Sequence, residues 1–126
     1  QNEFANKVIV GGKEVEGAVM STAFDREKAS TPEAQKFLKA YTDEYKSEPS
    51  ALSAMAYDAY LITVDAIKRA NSTDSQKIRD ALAATKDLEA VTGKTTFDKN
   101  GDPIKAAVIK EVKDAKFKYL DFVGVN

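Results

Sequence analysis

Residues 50–70 read SALSAMAYDAYLITVDAIKRA. Leu52, Met55, Tyr57, Tyr60, Leu61, Ile62, Val64 and Ile67, with Ala54, Ala56, Ala59, Ala66 and Ala70, leave only a narrow polar face. The spacing predicts a helix that opens at Ser50, ends at Asn71-Ser72 and is buried on most of its sides. Its alanines permit close approach to neighbouring elements. A second helix precedes it. Ser30 with Glu33 has capping-box spacing, or Thr31 caps and Pro32 takes the first helical position. Ala34, Phe37, Leu38, Tyr41 and Tyr45 then form one apolar stripe, and Pro49 ends the segment. A third, short helix follows a capping box at Thr73–Gln76 and is marked by Ile78, Ala81 and Leu82.

Strand signals flank the helices. Gly11-Gly12 stops a helix tail over Phe4–Ile9. Val15–Thr22 (VEGAVMST) is nearly uncharged after Glu16, which predicts a strand covered on both faces, as in a parallel sheet. After Asp87 the period changes to two. Lys94–Phe97, Ile104–Val112 and Lys116–Val123 read as strands, with turns at Thr92-Gly93, Asp98–Gly101 and Lys113–Ala115. The order is strand, three helices, then a short antiparallel meander, an α/β arrangement.

Composition removes much chemistry. The 126 residues are 43% hydrophobic and 31% charged, with a net charge of −1 and no Cys, His or Trp. No net field draws the chain to nucleic acid or an anionic membrane. Without Cys there is no disulfide scaffold, thiolate metal site or thiol nucleophile, and without His the commonest general base and transition-metal ligand is missing. The longest uncharged run, Pro49–Tyr57, falls far short of the roughly 20 residues of a membrane span. No signal peptide is visible in the first residues.

The remaining motifs have simpler readings. Asp98, Asn100 and Asp102 have the spacing of the first ligands of a calcium loop. Pro103 then stands where Gly is needed, and Ile109 where the bidentate Glu belongs, so a hairpin turn is the better reading. Lys105, Lys110, Lys113, Lys116 and Lys118 lie among Phe117 and Tyr119 as on a single-stranded nucleic-acid platform, but alternate with Val108 and Val112 as the solvated face of a sheet does. Asn71-Ser72-Thr73 matches a glycosylation pattern that a helix end also explains. Tyr57 and Tyr60 are candidates for a ligand cleft or for core packing. No Ser-x-x-Lys run, phosphate loop or nucleophile–base pair is found. The expectation is a binding protein with no catalytic residues, no metal site and no cofactor.

An ordered set of motifs carries a resemblance. Glu16–Phe24 (EGAVMSTAF) is followed by Phe37–Tyr41 (FLKAY), Tyr45–Pro49 (YKSEP) and Ala56–Ala59 (AYDA), then by Ile78–Leu82 (IRDAL) and Val91–Pro103 (VTGKTTFDKNGDP). Each is modest alone; the set in register resembles the solute-binding proteins of branched-chain amino-acid ABC importers, of the type I periplasmic binding fold. The resemblance implies a partial fold of that type. Residues 1–48 would belong to the second lobe and 49–112 to the first, with 113–126 returning toward the hinge. It further implies an extracytoplasmic location, an amino-acid-like solute and an ABC permease as partners. The family holds the ligand's charged groups mainly with residues that would precede Gln1. Relatives place an apolar residue against the ligand side chain at the start of the helix after the crossing, which carries over to Leu52, with Ala51 and Ser53 as alternative registers. A stand-alone ligand-sensing or protein-interaction module is the alternative. A chain matching only the C-terminal third of its relatives is expected to form a homodimer, through exchange of the segment after Pro49.

Overall fold

The computed structural model describes residues 10–29 and 31–124. The expected helix over Phe4–Ile9 and the cap at Ser30 lie outside them. A short 3₁₀ turn at Gly12–Val15 leads to β1, Val19–Thr22. This strand is shorter than Val15–Thr22, because Gly17 takes a positive φ of 79° and turns the chain first. β1 also corrects the parallel, doubly covered expectation. It pairs antiparallel with β5 (Ala107–Lys113), from Val19 opposite Glu111 to Thr22 opposite Val108, and alternates exposed and half-buried positions. The uncharged, β-branched run identifies a strand but holds no information about its partner.

Of the two starts open for α1 (Pro32–Tyr45), the structure uses the second. Thr31 Oγ1 accepts from Ala34 N at 3.0 Å, and Pro32 occupies the first position, where no N–H is needed. The helix buries Ala34 and Phe37 and stops at Lys46, which is left-handed and whose N–H reaches Thr42 O. After buried Pro49, α2 spans Ala51–Ala70 with Ser50 as its cap, accepting from Ser53 N at 3.1 Å. Only Ala54, Asp58, Ile62 and Ala66 of α2 are buried, a single stripe at four-residue steps. Leu52 and Tyr60 are 72% and 60% exposed, so the described residues do not cover the helix on most sides. Asp74, rather than Thr73, caps α3 (Ser75–Ala83) by accepting from Lys77 N at 3.0 Å. Arg69 ties α2 to α3 and to the turn beyond it. It bonds Asp65, the Ala81 carbonyl and the Thr85 hydroxyl at 2.7, 2.6 and 2.9 Å.

The strands form two antiparallel sheets rather than one meander. β2 (Leu88–Ala90), β3 (Gly93–Phe97) and β4 (Pro103–Ile104) make one, in that order. β1, β5 and β6 (Lys116–Val123) make the other. The single strand expected over Ile104–Val112 is therefore cut at Lys105-Ala106, where the chain passes from one sheet to the other. Alternation continues across the break because period two reports faces, not partners. The turn after Asp98 forms as expected. The Asp98 carboxylate accepts from Asn100 N and Asp102 N at 2.8 and 2.9 Å, so its oxygens serve the turn. Asp114 and Ala115 both take positive φ in the β5–β6 turn, the mirror-image geometry that suits the twist of paired strands.

One cluster joins the segment after β1, α1, α2 and the end of β2. Phe24 after β1, Ala34 and Phe37 of α1, Ala54 of α2 and Val91 after β2 are all buried, with Ala51, Tyr57 and Leu61 packed around them. The core therefore sits at the junction between the β1 sheet and the β2–β3–β4 sheet, where α1 hands over to α2.

Candidate binding site at the helix junction

The junction sets the first turn of α2 at the surface. Leu52 points a large apolar side chain largely into solvent, although a core residue of its size is ordinarily covered. Ala51 packs on the junction core and is half-buried. Ser53 turns its hydroxyl to 3.0 Å from that of Ser50 and lines a cleft of about 500 Å³ between α1 and α2. Of the three residues expected to meet a ligand, only Ser53 lines this cleft; Leu52 and Ala51 stand beside it.

The cleft wall is aromatic. Phe37 meets Tyr41 and Tyr57 at centroid distances of 5.6 and 5.1 Å, Tyr41 meets Tyr45 at 4.7 Å, and Tyr57 meets Tyr60 at 5.9 Å. All are tilted pairs at favourable separation. Tyr57 packs on the core, the second of the roles open to it, and also lines this cleft. Tyr60 lines the outer wall.

Two buried carboxylates brace this region, and sequence reasoning missed both. Asp58 stands in the buried stripe of α2 and reaches the β2–β3 turn. It accepts from Val91 N at 2.6 Å, from Thr92 N at 3.1 Å and from the Thr92 hydroxyl at 2.5 Å. Lys105 Nζ completes the set, 3.1 Å from Asp58 Oδ2 and also donating to the Thr92 hydroxyl. Asp25 accepts from Glu27 N and Lys28 N at 2.8 and 3.2 Å and pairs with Lys110 Nζ at 2.6 Å. Lys105 and Lys110 therefore leave the solvated lysine face on which period two put them; their side chains are 20% and 21% exposed. Lys113, Lys116 and Lys118 do lie in solvent. The available signal was Asp58 itself, a charge at a stripe position four residues from Ala54 and Ile62.

Burial pushes the Asp25 carboxyl up. The Lys110 hydrogen bond and charge, with the Glu27 and Lys28 amides, outweigh it and hold the group below its ordinary value of 3.8. Among the described residues, no group of three or more His, Cys, Asp or Glu side chains gathers to hold a metal ion. No helix among them is long and apolar enough to cross a membrane.

Among the described residues, three helices and two small antiparallel sheets make up part of a periplasmic binding protein fold. The chain belongs to the periplasmic binding protein family, whose model matches residues 5–116. The family is solute-binding and non-enzymatic, and membership implies an extracytoplasmic location. The leucine binding protein LivK of Thermotoga maritima is 36% identical, with a TM-score of 0.84 over 95% of this chain and 34% of its own. LivJ of Streptococcus pneumoniae, a branched-chain amino acid transporter substrate binding protein solved with isoleucine, is 33% identical, with a TM-score of 0.74 over 83% of this chain and 30% of its own. A Desulfitobacterium hafniense ABC transporter substrate-binding protein solved with Leu is 27% identical, with a TM-score of 0.72 over 84% of this chain and 32% of its own. The chain thus spans about a third of the length of these solved relatives.

The Asp25–Lys110 pair gives a pH signature. A carboxyl whose folded value is depressed adds stability above its unfolded pKa, and that stability drains as pH falls through the folded value. Lys110→Met should cost about 3 kcal/mol at pH 7, since it strands a buried carboxylate. The gap between the two proteins should be widest at neutral pH, begin to narrow where the stranded Asp25 carboxyl of the variant takes up its proton, and close as pH falls through the depressed value of the paired group, below 3.8. Urea unfolding across pH 2–7 checks this; a gap that is constant over the range would contradict it.

Proposed function

We propose that this chain forms the C-terminal portion of the substrate-binding component of an ABC importer for branched-chain or related amino acids. In this reading two lobes close on the solute about a hinge, and the closed form is recognised by the permease. The observation that carries it is Leu52, a large apolar side chain held out on the first turn of α2, beside the passage from α1, in a chain 36% identical to a leucine binding protein. Leu52 meets the solute's apolar side chain, with Ala51 and Ser53 as its neighbours at that contact. No chemical step is asked of any residue.

The lobe assignment carries over with one change of boundary. Residues 1–48 belong to the second lobe, and the chain crosses to the first at 49–50. Pairing of β5 with β1 favours a return to the second lobe at Lys105-Ala106, ahead of the return after residue 112 that the resemblance implied. The parent is free in the periplasm or tethered as a lipoprotein at the cell surface. By itself the 126-residue chain leaves Leu52, Met55, Tyr60 and Ile67 of α2 exposed, and such a face favours a homodimer.

Calorimetric titration with leucine, isoleucine and valine tests the reading. In the two-lobed protein, Leu52→Asp should weaken binding at least tenfold, about 1.4 kcal/mol. The 126-residue chain alone should show no micromolar binding. Unchanged affinity in Leu52→Asp would remove Leu52 from the site. Micromolar binding by the short chain as a monomer would show that the site needs nothing beyond it.

A further inference from the structure

The passage between the two sheets consists of Lys105 and Ala106 alone, since β4 ends at Ile104 and β5 begins at Ala107. Neither residue belongs to a ladder, so backbone pairing does not restrain the link. One side chain does. Lys105 Nζ runs back to α2, where it meets Asp58 Oδ2 at 3.1 Å and the Thr92 hydroxyl that itself donates to Asp58. Asp58 is 3% exposed and is already fixed by the Val91 and Thr92 amides. A lysine on a two-residue connection is thus anchored to a rigid, buried acceptor on the helix whose first turn carries Leu52.

Beyond the link the chain is held again. Val108 is buried and pairs with Thr22 and Phe122, and Lys110 is bound to Asp25 after a register shift between Ile109 and Lys110. The two lysines of this stretch are therefore tied to opposite sides of the passage, Lys105 to α2 and Lys110 to the segment after β1. Only Lys105 acts on the link itself.

We propose that Asp58, Thr92 and Lys105 form a latch that clamps the inter-sheet link to α2 and restricts bending there. The inference rests on the reading of residues 105–106 as a connection between lobes. Asp58 is a positioning residue in this account: it acts on the link through Lys105 and touches no solute. Opening the latch frees Ala106 without disturbing the β2–β3 turn, because Asp58 keeps its bonds to Val91, Thr92 N and the Thr92 hydroxyl.

Backbone ¹⁵N relaxation on the 126-residue chain without ligand tests the latch. In Lys105→Met the order parameters at residues 105–107 should fall from about 0.85 to below about 0.6. Those of α2, β3 and β5 beyond Val108 should stay as they are. Unchanged order at the link, or an equal loss throughout the chain, would overturn the proposal. Should Lys105→Met fail to fold, Lys105→Ala removes the same tether, leaves the bonds of Asp58 to Val91 and Thr92 in place, and is read by the same criteria. No amino acid enters the measurement, so failure of solute binding in the two-lobed protein and failure of the latch are separate results.

Discussion

The close approach of Ala34, Ala54 and Val91 is the constraint on which the rest of this structure depends. The two alanines are wholly buried and the valine nearly so, and they come from α1, α2 and the end of β2. Small side chains let these elements meet closely, and Phe24 and Phe37 fill the space that remains. The α1 cap shares in the contact: Thr31 accepts from Ala34 N and donates to the Ala90 carbonyl at 3.2 Å. One residue thus starts a helix and ties it to the other sheet. The positions of the aromatic cleft and of Leu52 are set by where this junction places the first turn of α2.

Buried charge adds a different kind of order. Removing one partner from a buried pair is costly, whereas the intact pair adds little net stability over a well-packed apolar substitute. The value of Asp58 and Asp25 lies in what they select. Each collects backbone amides that no ladder uses and one lysine, Asp58 taking Lys105 from the link between the sheets and Asp25 taking Lys110 from within β5. An apolar side chain at position 58 would fit the stripe of α2 but leave the amides of Val91 and Thr92 without this acceptor.

Features governed by local chemistry were legible in the sequence. Capping residues and period marked all three helices, and Asp-Asn-Gly chemistry marked the turn after Asp98. The ordered motifs identified the family. What depends on distant partners was not legible. VEGAVMST could not say that β1 would pair with β5. The alternation through Ile104–Val112 hid a change of sheet at Lys105-Ala106. Lys105 and Lys110 looked solvated because period two assigns a face and says nothing of a carboxylate arriving from another element. Of the three residues expected at a ligand contact, Ser53 lines the cleft between α1 and α2, and Leu52 is exposed although the apolar content of α2 argued for its burial.

If the junction core unites the β1 sheet and the β2–β3–β4 sheet, the chain unfolds as one cooperative body. Tyr41 and Tyr57 pack on that core and Tyr119 lies in β6, so in a Tyr119→Phe background tyrosine fluorescence reports the junction and its cleft, while far-ultraviolet circular dichroism reports helices and strands everywhere. Urea titration followed by both probes should give coincident transitions, and Ala54→Leu, which overpacks the junction, should lower both midpoints together, a loss of about 1–3 kcal/mol in unfolding free energy. Separate transitions, with fluorescence lost while most ellipticity remains, would contradict the account.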